Sequence, residues 1–301
     1  MPDPFAIPFS RRDYLDALED HVVLFDGATG TQLARMSPTA ADFGGAHTEG
    51  LNEMLLLHRP DLVEATHAAY FNAGAEVVET NSFRANRLTL AEFGVGEMAL
   101  DLNRRAAQLA RRVADRVAFE AHAPRFVAGS MGPTGRLLSL EDVTGETSFD
   151  MLVEVYAEAA QGLLEGGVDV LLLETQQDLL ELKAAIHGVW RAFRCLNLRV
   201  PLQAQITLDA GGRMLTGPDI VAVAATLAAL PVDVMGINCS TGPEEMRDAV
   251  RRLVTLSARP VCVMPNAGMP QNVGGKAIYT LAPGAFAIAM AEFAAWGVRA
   301  M

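Results

Sequence analysis

The sequence predicts an α/β fold, a (β/α)8 barrel of the TIM type in a single domain over residues 1–301, with the eighth strand truncated at the C-terminus. Short, continuously apolar runs alternate with longer segments of helical composition. Continuous apolar runs are typical of parallel strands that are buried on both faces. Half of the 301 residues are apolar and no flexible linker interrupts the alternation. The chain is therefore long enough and apolar enough for one barrel.

Seven strands are predicted in order along the chain. They cover residues 22–26, 76–81, 125–130, 170–175, 201–208, 234–239 and 260–266. Helical segments such as 61–74, 149–167 and 178–193 lie between them, and several end in glycine, a common helix stop. After a last helix at residues 283–297, the eighth strand is expected to begin at residues 298–301.

A doubly wound open sheet is the alternative fold, because it has the same alternation of strands and helices. In proteins of that class that bind dinucleotides, the first strand-to-helix turn carries a Gly-x-Gly-x-x-Gly pattern. Residues 26–33, Asp-Gly-Ala-Thr-Gly-Thr-Gln-Leu, lack this pattern. The barrel is therefore the preferred prediction.

Charge and cysteine content exclude several classes of protein. The chain carries 24 Lys and Arg against 36 Asp and Glu, a formal net charge of −12. Such a surface repels phosphate backbones and anionic lipids, so neither nucleic acid nor a membrane is expected as a partner. No apolar run is long enough to span a bilayer, and three cysteines do not suggest a disulfide framework. Because the N-terminus does not have the pattern of a signal peptide, the cytoplasm is the predicted location.

Polar side chains gather at the carboxyl ends of the predicted strands, where the chemistry of barrel enzymes lies. A polar group at the end of a buried strand is costly to desolvate without a partner, so several together predict a polar pocket. For any single residue, capping a helix or anchoring a loop is an equally good interpretation. The residues concerned are Asp26, Glu79, Asn81, Ser130, Glu174, Asn238, Cys239 and Asn266.

Cys239 is the most informative of these residues. Cys195 follows a helix and Cys262 lies inside a strand, so both are interpreted as packing residues. Cys239 instead lies where a strand gives way to a loop, just before a predicted helix start, and a helix N-terminus favours thiolate over thiol. From position alone, a buried structural cysteine is an equally good interpretation. One cysteine is also weak evidence for a metal, because a zinc site normally needs three protein ligands.

The Gly-rich loop at residues 26–33 has the composition of an anion-binding turn, in which backbone N–H groups at a helix start hold the ligand. A carboxylate fits such a loop as well as a phosphate does, and the lysine of a P-loop is absent. The alternative interpretation is a tight strand-to-helix turn, which glycine forms without any ligand.

Six segments together resemble the homocysteine S-methyltransferase family over nearly the whole chain, in the order and at the spacing of that family. They are FDGATGTQL (25–33), AGAEVVETNSFRAN (73–86), GSMGPTG (129–135), LLLETQQDLLELKAAI (171–186), GINCSTGPEEM (236–246) and MPNAGMP (264–270). Segments 52–83 and 132–138 are more similar to cobalamin-dependent methionine synthases than to the family members that use betaine or S-methylmethionine.

This resemblance implies zinc-dependent methyl transfer to the thiol of L-homocysteine, giving methionine. It implies that zinc is bound by Cys239, as the catalytic ligand, and by two adjacent cysteines of a Gly-Gly-Cys-Cys segment that is absent from this sequence and is expected just beyond Met301. The 301-residue form is therefore expected to bind little zinc and to be inactive, with unpaired edges on the first and seventh strands. Asn266 is expected at the zinc position only when no substrate is bound.

The resemblance also implies a substrate site. Asp26 and Glu174 are expected to accept hydrogen bonds from the substrate ammonium, and the N–H groups of Gly27, Ala28 and Thr29 to bind its carboxylate. Methylcobalamin on a separate domain is the implied methyl donor, and cobalamin- and folate-binding domains or subunits are the implied partners of this N-terminal module of a longer protein. Three alternatives remain open: a betaine- or S-methylmethionine-type homocysteine methyltransferase, a metal-free barrel that binds small molecules, and a barrel that only docks to cobalamin-binding domains.

Overall fold

A curled parallel sheet forms the centre of the structure, a computed structural model that describes residues 7–140, 147–269, 271–273 and 276–301. Each strand of the sheet pairs in parallel with the next. The strands of this sheet are β1 Val77–Glu79, β2 Phe126–Met131, β3 Val170–Gln176, β4 Leu202–Ile206, β5 Val234–Asn238, β6 Val261–Met264 and β9 Val298–Ala300. Between β6 and β9, the chain forms an antiparallel hairpin of β7 Gln271–Val273 and β8 Lys276–Ile278, which the sequence did not predict.

Residues 22–26, the first predicted strand and from here on called the first segment, close the barrel. Val23 forms a parallel bridge with Ala300, and Phe25 forms one with Val77, so this segment joins β9 to β1. The expectation of unpaired edges is therefore wrong. The three residues of β9 already fill the eighth position, because they pair with β6 on one side and with the first segment on the other. The start of the eighth strand at residues 298–301 is confirmed.

Helices cover the outside of the barrel, and the predicted helices at 61–74, 149–167, 178–193 and 283–297 are confirmed to within a few residues. Among the described helices, none is both long and apolar enough to cross a lipid bilayer. The α-helices are α1 Asp13–Asp20, α2 Thr29–Arg35, α3 Leu55–His58, α4 Pro60–Asn72, α5 Arg87–Ala91, α6 Ala99–Ala121, α7 Phe149–Gly166, α8 Leu179–Leu196, α9 Ile220–Ala228, α10 Pro243–Leu256 and α11 Pro283–Trp296. Short 3-10 helices cover Ala40–Phe43, Ala46–Thr48, Asn52–Met54 and Gly96–Met98.

Side-chain caps fix where several of these helices begin. Ser148 accepts a hydrogen bond from the N–H of Met151 at the start of α7, at 3.1 Å. Asp178 accepts one from Leu180 at the start of α8, at 2.9 Å. Such caps satisfy N–H groups that have no partner within the helix. Because each cap follows the carboxyl end of a strand, it sets where the loop at the barrel mouth ends.

Helix α1 closes the opposite, amino-terminal end of the barrel. Tyr14 is buried there, and its hydroxyl donates to Oε1 of Gln203 on β4 at 2.6 Å. Arg299 of β9 donates to the carbonyl oxygens of Leu18 and Glu19 at the end of α1, both at 2.6 Å. These bonds satisfy carbonyl groups that the helix leaves unpaired. One end of the barrel is thus filled, and the functional site lies at the other.

Helices α6, α7 and α8 pack unusually close together. A Cβ atom at Gly162 would lie 2.5 Å from the carbonyl oxygen of Leu100, and one at Gly188 would lie 2.6 Å from that of Val153. Both distances are below van der Waals contact, and in both cases the obstacle is backbone. Glycine at these two positions is therefore what allows the helices to approach.

Candidate active site

Three carboxyl side chains and one thiol meet at the carboxyl ends of the strands, as the sequence predicted. Asp26 is the last residue of the first segment, and its Oδ2 accepts a hydrogen bond from the backbone N–H of Glu79 at the end of β1, at 3.0 Å. The charge of Glu174 on β3 acts on Asp26, Glu79 and Cys239. The structure thus brings Asp26, Glu79, Glu174 and Cys239 to one mouth, although the family resemblance implied no substrate or metal role for Glu79.

The electrostatics of this group are dominated by burial. Burial raises the pKa of Asp26 and of Glu79 well above the usual range, and the neighbouring Glu174 raises both further. The pKa of Glu174 rises to about 7, again because of burial, while its hydrogen bonds oppose the rise. Among the described residues, no basic side chain contributes to any of these shifts. A positively charged ligand would favour the ionised form of each of these carboxyl groups, so the site suits such a ligand.

Neutral side chains hold the carboxylate of Glu174, Thr175 among them. Oε1 accepts from the hydroxyl of Ser130 on β2 at 2.5 Å, and Oε2 accepts from Nδ2 of Asn238 on β5 at 3.2 Å. Oδ1 of Asp26, by contrast, is buried and has no hydrogen-bond partner among the described residues. A buried oxygen without a donor is costly, so Asp26 has an unmet need that a ligand N–H can satisfy.

Cys239 lies directly after β5, half-buried, in a left-handed backbone conformation with φ of 60°. Burial and the charge of Glu174 raise the pKa of its thiol above the usual value. The expectation that a helix N-terminus favours the thiolate here is therefore wrong. Helix α10 begins only at Pro243, and burial beside a carboxyl group decides the direction of the shift.

The Gly-rich loop leads from the first segment into α2. Within the described part of the chain, the N–H groups of Gly27, Ala28 and Thr29 donate to no acceptor. A Cβ atom at Gly27 would lie 3.2 Å from the hydroxyl oxygen of Tyr70 on α4, so the loop is close-packed on one side. These three N–H groups are free for a ligand beside Asp26.

Asn266 lies in the loop after β6 and joins it to the loop that carries Cys239. Its backbone N–H donates to the carbonyl oxygen of Thr241 at 3.0 Å, and its own carbonyl oxygen accepts from Gly268 at 2.7 Å. The backbone N–H of Cys239 donates to the carbonyl oxygen of Met264 at 3.0 Å. Asn266 is thus held next to the loop of Cys239, two residues beyond the end of the strand that was predicted to include it.

The described residues do not form a zinc site of the implied kind. In that part of the chain, no three His, Cys, Asp or Glu side chains are grouped so that they can hold a metal ion. Cys262 is buried inside the barrel, where its sulfur accepts from Nε2 of Gln205 at 3.2 Å, and Cys195 is exposed on α8. The packing role predicted for Cys262 is confirmed, whereas the one predicted for Cys195 is wrong, because Cys195 lies on the exposed face of α8. Cys239 is thus the one thiol at the mouth among the described residues.

Some polar residues at strand ends serve the structure rather than the site. Asn81 donates from Nδ2 to the carbonyl oxygen of Asn52 at 2.8 Å and anchors a loop, which was the alternative interpretation. Ser130 and Asn238 stand beside Glu174, but nothing in the sequence indicated that they hold it. Thr175, which Asn238 also contacts, was missed altogether, because a threonine next to a glutamate gives no signal.

The family is decided by a match over residues 23–301 to the family model described as homocysteine S-methyltransferase. The chain belongs to this family. Its fold is that of the homocysteine methyltransferase MmuM from Escherichia coli. The oxidized form of that enzyme superposes with a TM-score of 0.75 at 25% identity, covering 95% of this chain and 92% of that one. The metallated form gives 0.74 at 24% identity, covering 99% and 93%. The predicted fold class and family are thereby confirmed.

Two curated relatives are more similar in sequence. The chain is 42% identical over 283 residues to the methionine synthases of Mycobacterium tuberculosis (strain ATCC 25618 / H37Rv) and Mycobacterium leprae (strain TN). The match covers 94% of this chain but only 23% of each relative. This homocysteine methyltransferase family member thus spans less than a quarter of the length of those methionine synthases.

Proposed function

We propose that this chain is the homocysteine-binding barrel of a methionine synthase, which binds L-homocysteine and presents its sulfur for methylation. The observation that carries the proposal is a group of three carboxyl side chains, the half-buried Asp26 and Glu79 and the buried Glu174, near the thiol of Cys239. Among the described residues, no basic side chain contributes to their pKa shifts, and the N–H groups of Gly27, Ala28 and Thr29, which follow Asp26 in the chain, donate to no acceptor. An amino acid that ends in a thiol matches this arrangement: its ammonium group suits the carboxyl side chains, its carboxylate suits the N–H groups, and its sulfur suits the position beside Cys239.

The ammonium group of homocysteine is proposed to lie between Asp26 and Glu174. A cation there offsets the mutual repulsion of the carboxyl groups and favours their ionised forms. Oδ1 of Asp26, which has no protein donor, gains one from the ligand. Each hydrogen bond to a charged group stabilises such a complex by about 1.5–3 kcal/mol.

The carboxylate of homocysteine is proposed to accept hydrogen bonds from the N–H groups of Gly27, Ala28 and Thr29. Neutral donors suit this position, because an arginine here would pair with the neighbouring carboxyl groups instead of with the ligand. With both polar ends of the substrate held at the first segment and β3, its side chain extends towards Cys239 on the loop after β5.

Zinc, which the family resemblance implies, would supply a Lewis acid that holds the substrate thiol as thiolate. Among the described residues, only Cys239 offers it a thiolate, and this set does not fit a zinc site. We propose that the two further cysteine ligands lie beyond Met301, that Asn266 approaches the metal only without substrate, and that residues 1–301 alone are inactive.

The remaining roles are proposals from the relatives. Their name, methionine synthase, supports methionine as the product. Methylcobalamin on a separate domain as the donor, and cobalamin- and folate-binding domains or subunits as partners of this N-terminal module, are proposed from the resemblance of segments 52–83 and 132–138 to cobalamin-dependent enzymes. A cytoplasmic location belongs to the same proposal. A betaine or S-methylmethionine donor, a metal-free binding barrel and a pure docking barrel are the competing possibilities.

The proposal is tested by calorimetric titration with L-homocysteine and with 4-mercaptobutanoate, the same thiol acid without its amino group. We expect the parent to prefer homocysteine, and Asp26→Ala and Glu174→Ala each to weaken homocysteine binding by about tenfold or more. Asp150→Asn, at an exposed carboxylate on α7, serves as the control and should bind as the parent does. If the parent does not bind homocysteine, the proposed function is wrong. If the parent binds it, and Asp26→Ala and Glu174→Ala bind it equally well, the ammonium site is misplaced.

A further inference from the structure

Asn238, the last residue of β5, makes three side-chain hydrogen bonds at the barrel mouth. Its Oδ1 accepts from the backbone N–H of Thr175 at 2.8 Å. Its Nδ2 donates to Oγ1 of Thr175 at 2.9 Å and to Oε2 of Glu174 at 3.2 Å. An asparagine amide has two N–H donors and one carbonyl acceptor, and all three are used here on two consecutive residues of β3.

Thr175 has a backbone conformation that threonine rarely adopts. Its φ of 56° lies in the left-handed region, which is unfavourable for a β-branched residue. The pairing of β3 with β4 is irregular between Leu173 and Gln176, so the strand is distorted where Glu174 points into the site. Such a distortion re-aims a side chain and leaves backbone groups without their ladder partner. The bond from the Thr175 N–H to Asn238 supplies that partner.

The carboxylate of Glu174 is held from two sides. Oε2 accepts from Asn238 and Oε1 accepts from Ser130 at 2.5 Å, and the side chain of Thr175 also acts on the carboxylate as a hydrogen-bond donor. Ser130 is itself fixed, since its N–H donates to Oγ1 of Thr80 at 2.9 Å and its carbonyl oxygen accepts from Ser82 at 2.8 Å. Donors on β2 and β5 therefore fix the plane of the carboxylate and leave its other lone pairs for a ligand.

The backbone of Asn238 is equally constrained. Its carbonyl oxygen accepts from Oγ1 of Thr207 at 2.8 Å, and the N–H of the next residue, Cys239, donates to Met264 at 3.0 Å. Asn238 cannot move without moving Cys239, to which it is covalently joined. One residue thus connects the carboxylate at the end of β3 to the thiol after β5.

We propose that Asn238 is a positioning residue, which sets the direction of Glu174 and its distance from Cys239. This inference rests on the proposed function, in which Glu174 binds the ammonium group of homocysteine and Cys239 lies at its sulfur. Asn238 touches neither the substrate nor the reacting atoms in this arrangement. It acts through Glu174, and it keeps the two ends of the site at the spacing that one homocysteine molecule spans.

The amide is needed for its polarity and not only for its size. An aspartate has nearly the same shape, but it would place an oxygen instead of an N–H group against Oε2 of Glu174. It would also add a fourth carboxyl group to Asp26, Glu79 and Glu174, which already repel one another. Asn238→Asp is therefore expected to turn Glu174 away from the ligand while keeping the volume of the side chain.

The test is a double-mutant cycle on homocysteine affinity with Asn238→Ala, Glu174→Ala and the double variant. We expect each single change to weaken binding by about tenfold or more, and the double variant to bind no more weakly than Glu174→Ala. Asn238→Asp should match Asn238→Ala and replaces it if that variant does not fold. An additive cycle would show that Asn238 acts independently of Glu174 and would overturn the inference, as would unchanged binding by Asn238→Ala.

Asn103 provides a matched control for general loss of stability. It is a buried asparagine on α6, and its Nδ2 donates to the carbonyl oxygens of Ala85 and Ala99 at 2.7 and 2.8 Å. Asn103→Ala should lower the unfolding temperature and leave homocysteine affinity unchanged. If it weakens binding as much as Asn238→Ala does, the role of Asn238 is only structural. If the parent chain itself does not bind homocysteine, the proposed function fails, and that result is distinct from either outcome of the cycle.

Discussion

His67 on α4 is a fully buried histidine, and neither of its ring nitrogens has a hydrogen-bond partner among the described residues. Burial lowers its pKa from 6.5 to about 4. In the unfolded chain the imidazole therefore takes up a proton at a higher pH than in the folded chain. Between these two pKa values the unfolded state binds more protons, so acid favours unfolding.

We predict that His67→Leu reduces the acid sensitivity of the fold. In the parent, protonation of this group alone should remove up to about 3 kcal/mol of the free energy of unfolding between pH 6.5 and pH 4. Urea unfolding of both proteins at pH 7, 5.5 and 4.5 measures the difference between the two slopes. His47→Leu, at an exposed histidine, is the control. Equal slopes for the parent and His67→Leu would contradict the prediction.

We predict that Asp26→Asn stabilises the ligand-free protein at pH 8 while it weakens homocysteine binding. The raised pKa of Asp26 means that its ionisation opposes folding, and this penalty appears as the pH rises. Asparagine can still accept from the N–H of Glu79 and offers an N–H group where Oδ1 now has no partner. Calorimetric unfolding at pH 5 and pH 8 should show the gain mainly at pH 8. A variant that is less stable at both pH values would refute this account.

Part of the site was predictable at the level of single residues. Asp26, Glu174 and Cys239 were identifiable because the carboxyl ends of parallel strands converge on one mouth. The direction of the pKa shift of Cys239 was not, because it depends on burial and on Glu174, which come from distant parts of the chain. The role of Thr175 was hidden for the same reason, since its left-handed backbone is held by a side chain of β5.

At the scale of elements, the strands were predicted well because burial on both faces leaves a continuous apolar run. The hairpin of β7 and β8 and the short 3-10 helices were not predicted, because segments of three or four residues are too short to show any periodicity. The close approach of α7 to its neighbours was also not visible. A glycine within a helical segment reads as a weak point until the facing backbone is known.

We predict that Gly188→Ala destabilises the protein by about 1–3 kcal/mol, because the new Cβ atom would meet the carbonyl oxygen of Val153 and the backbone must move apart. Gly284→Ala in α11 is the matched control. Nothing lies within 4 Å of a Cβ atom at that position, so the change should be neutral or stabilise the helix by up to about 1 kcal/mol. Urea unfolding of both variants gives the comparison. Equal stabilities would show that α7 and α8 can separate at little cost.

At the scale of the whole molecule, the prediction concerns metal content. We predict that residues 1–301 retain little zinc after dialysis, because a borderline-soft ion prefers several thiolates and Cys239 is the one thiol at the mouth among the described residues. A form extended through the proposed Gly-Gly-Cys-Cys segment should retain about one zinc per chain and methylate homocysteine. Stoichiometric zinc in the shorter form would contradict the proposed ligand set, and absence of zinc from the longer form would contradict zinc dependence itself.

The closure of the barrel by Val23 and Ala300 has a consequence for how the chain folds. These two residues are separated by nearly the whole sequence, so their pairing is among the most non-local contacts that the fold contains. Such contacts form slowly, because the entropy cost of closing a long loop comes before the contact stabilises the fold. During synthesis, the first segment has to wait with its backbone groups unpaired until residues 298–300 have left the ribosome. An emerging chain is therefore expected to depend on a chaperone, or to risk aggregation, until residues 298–300 are available for pairing.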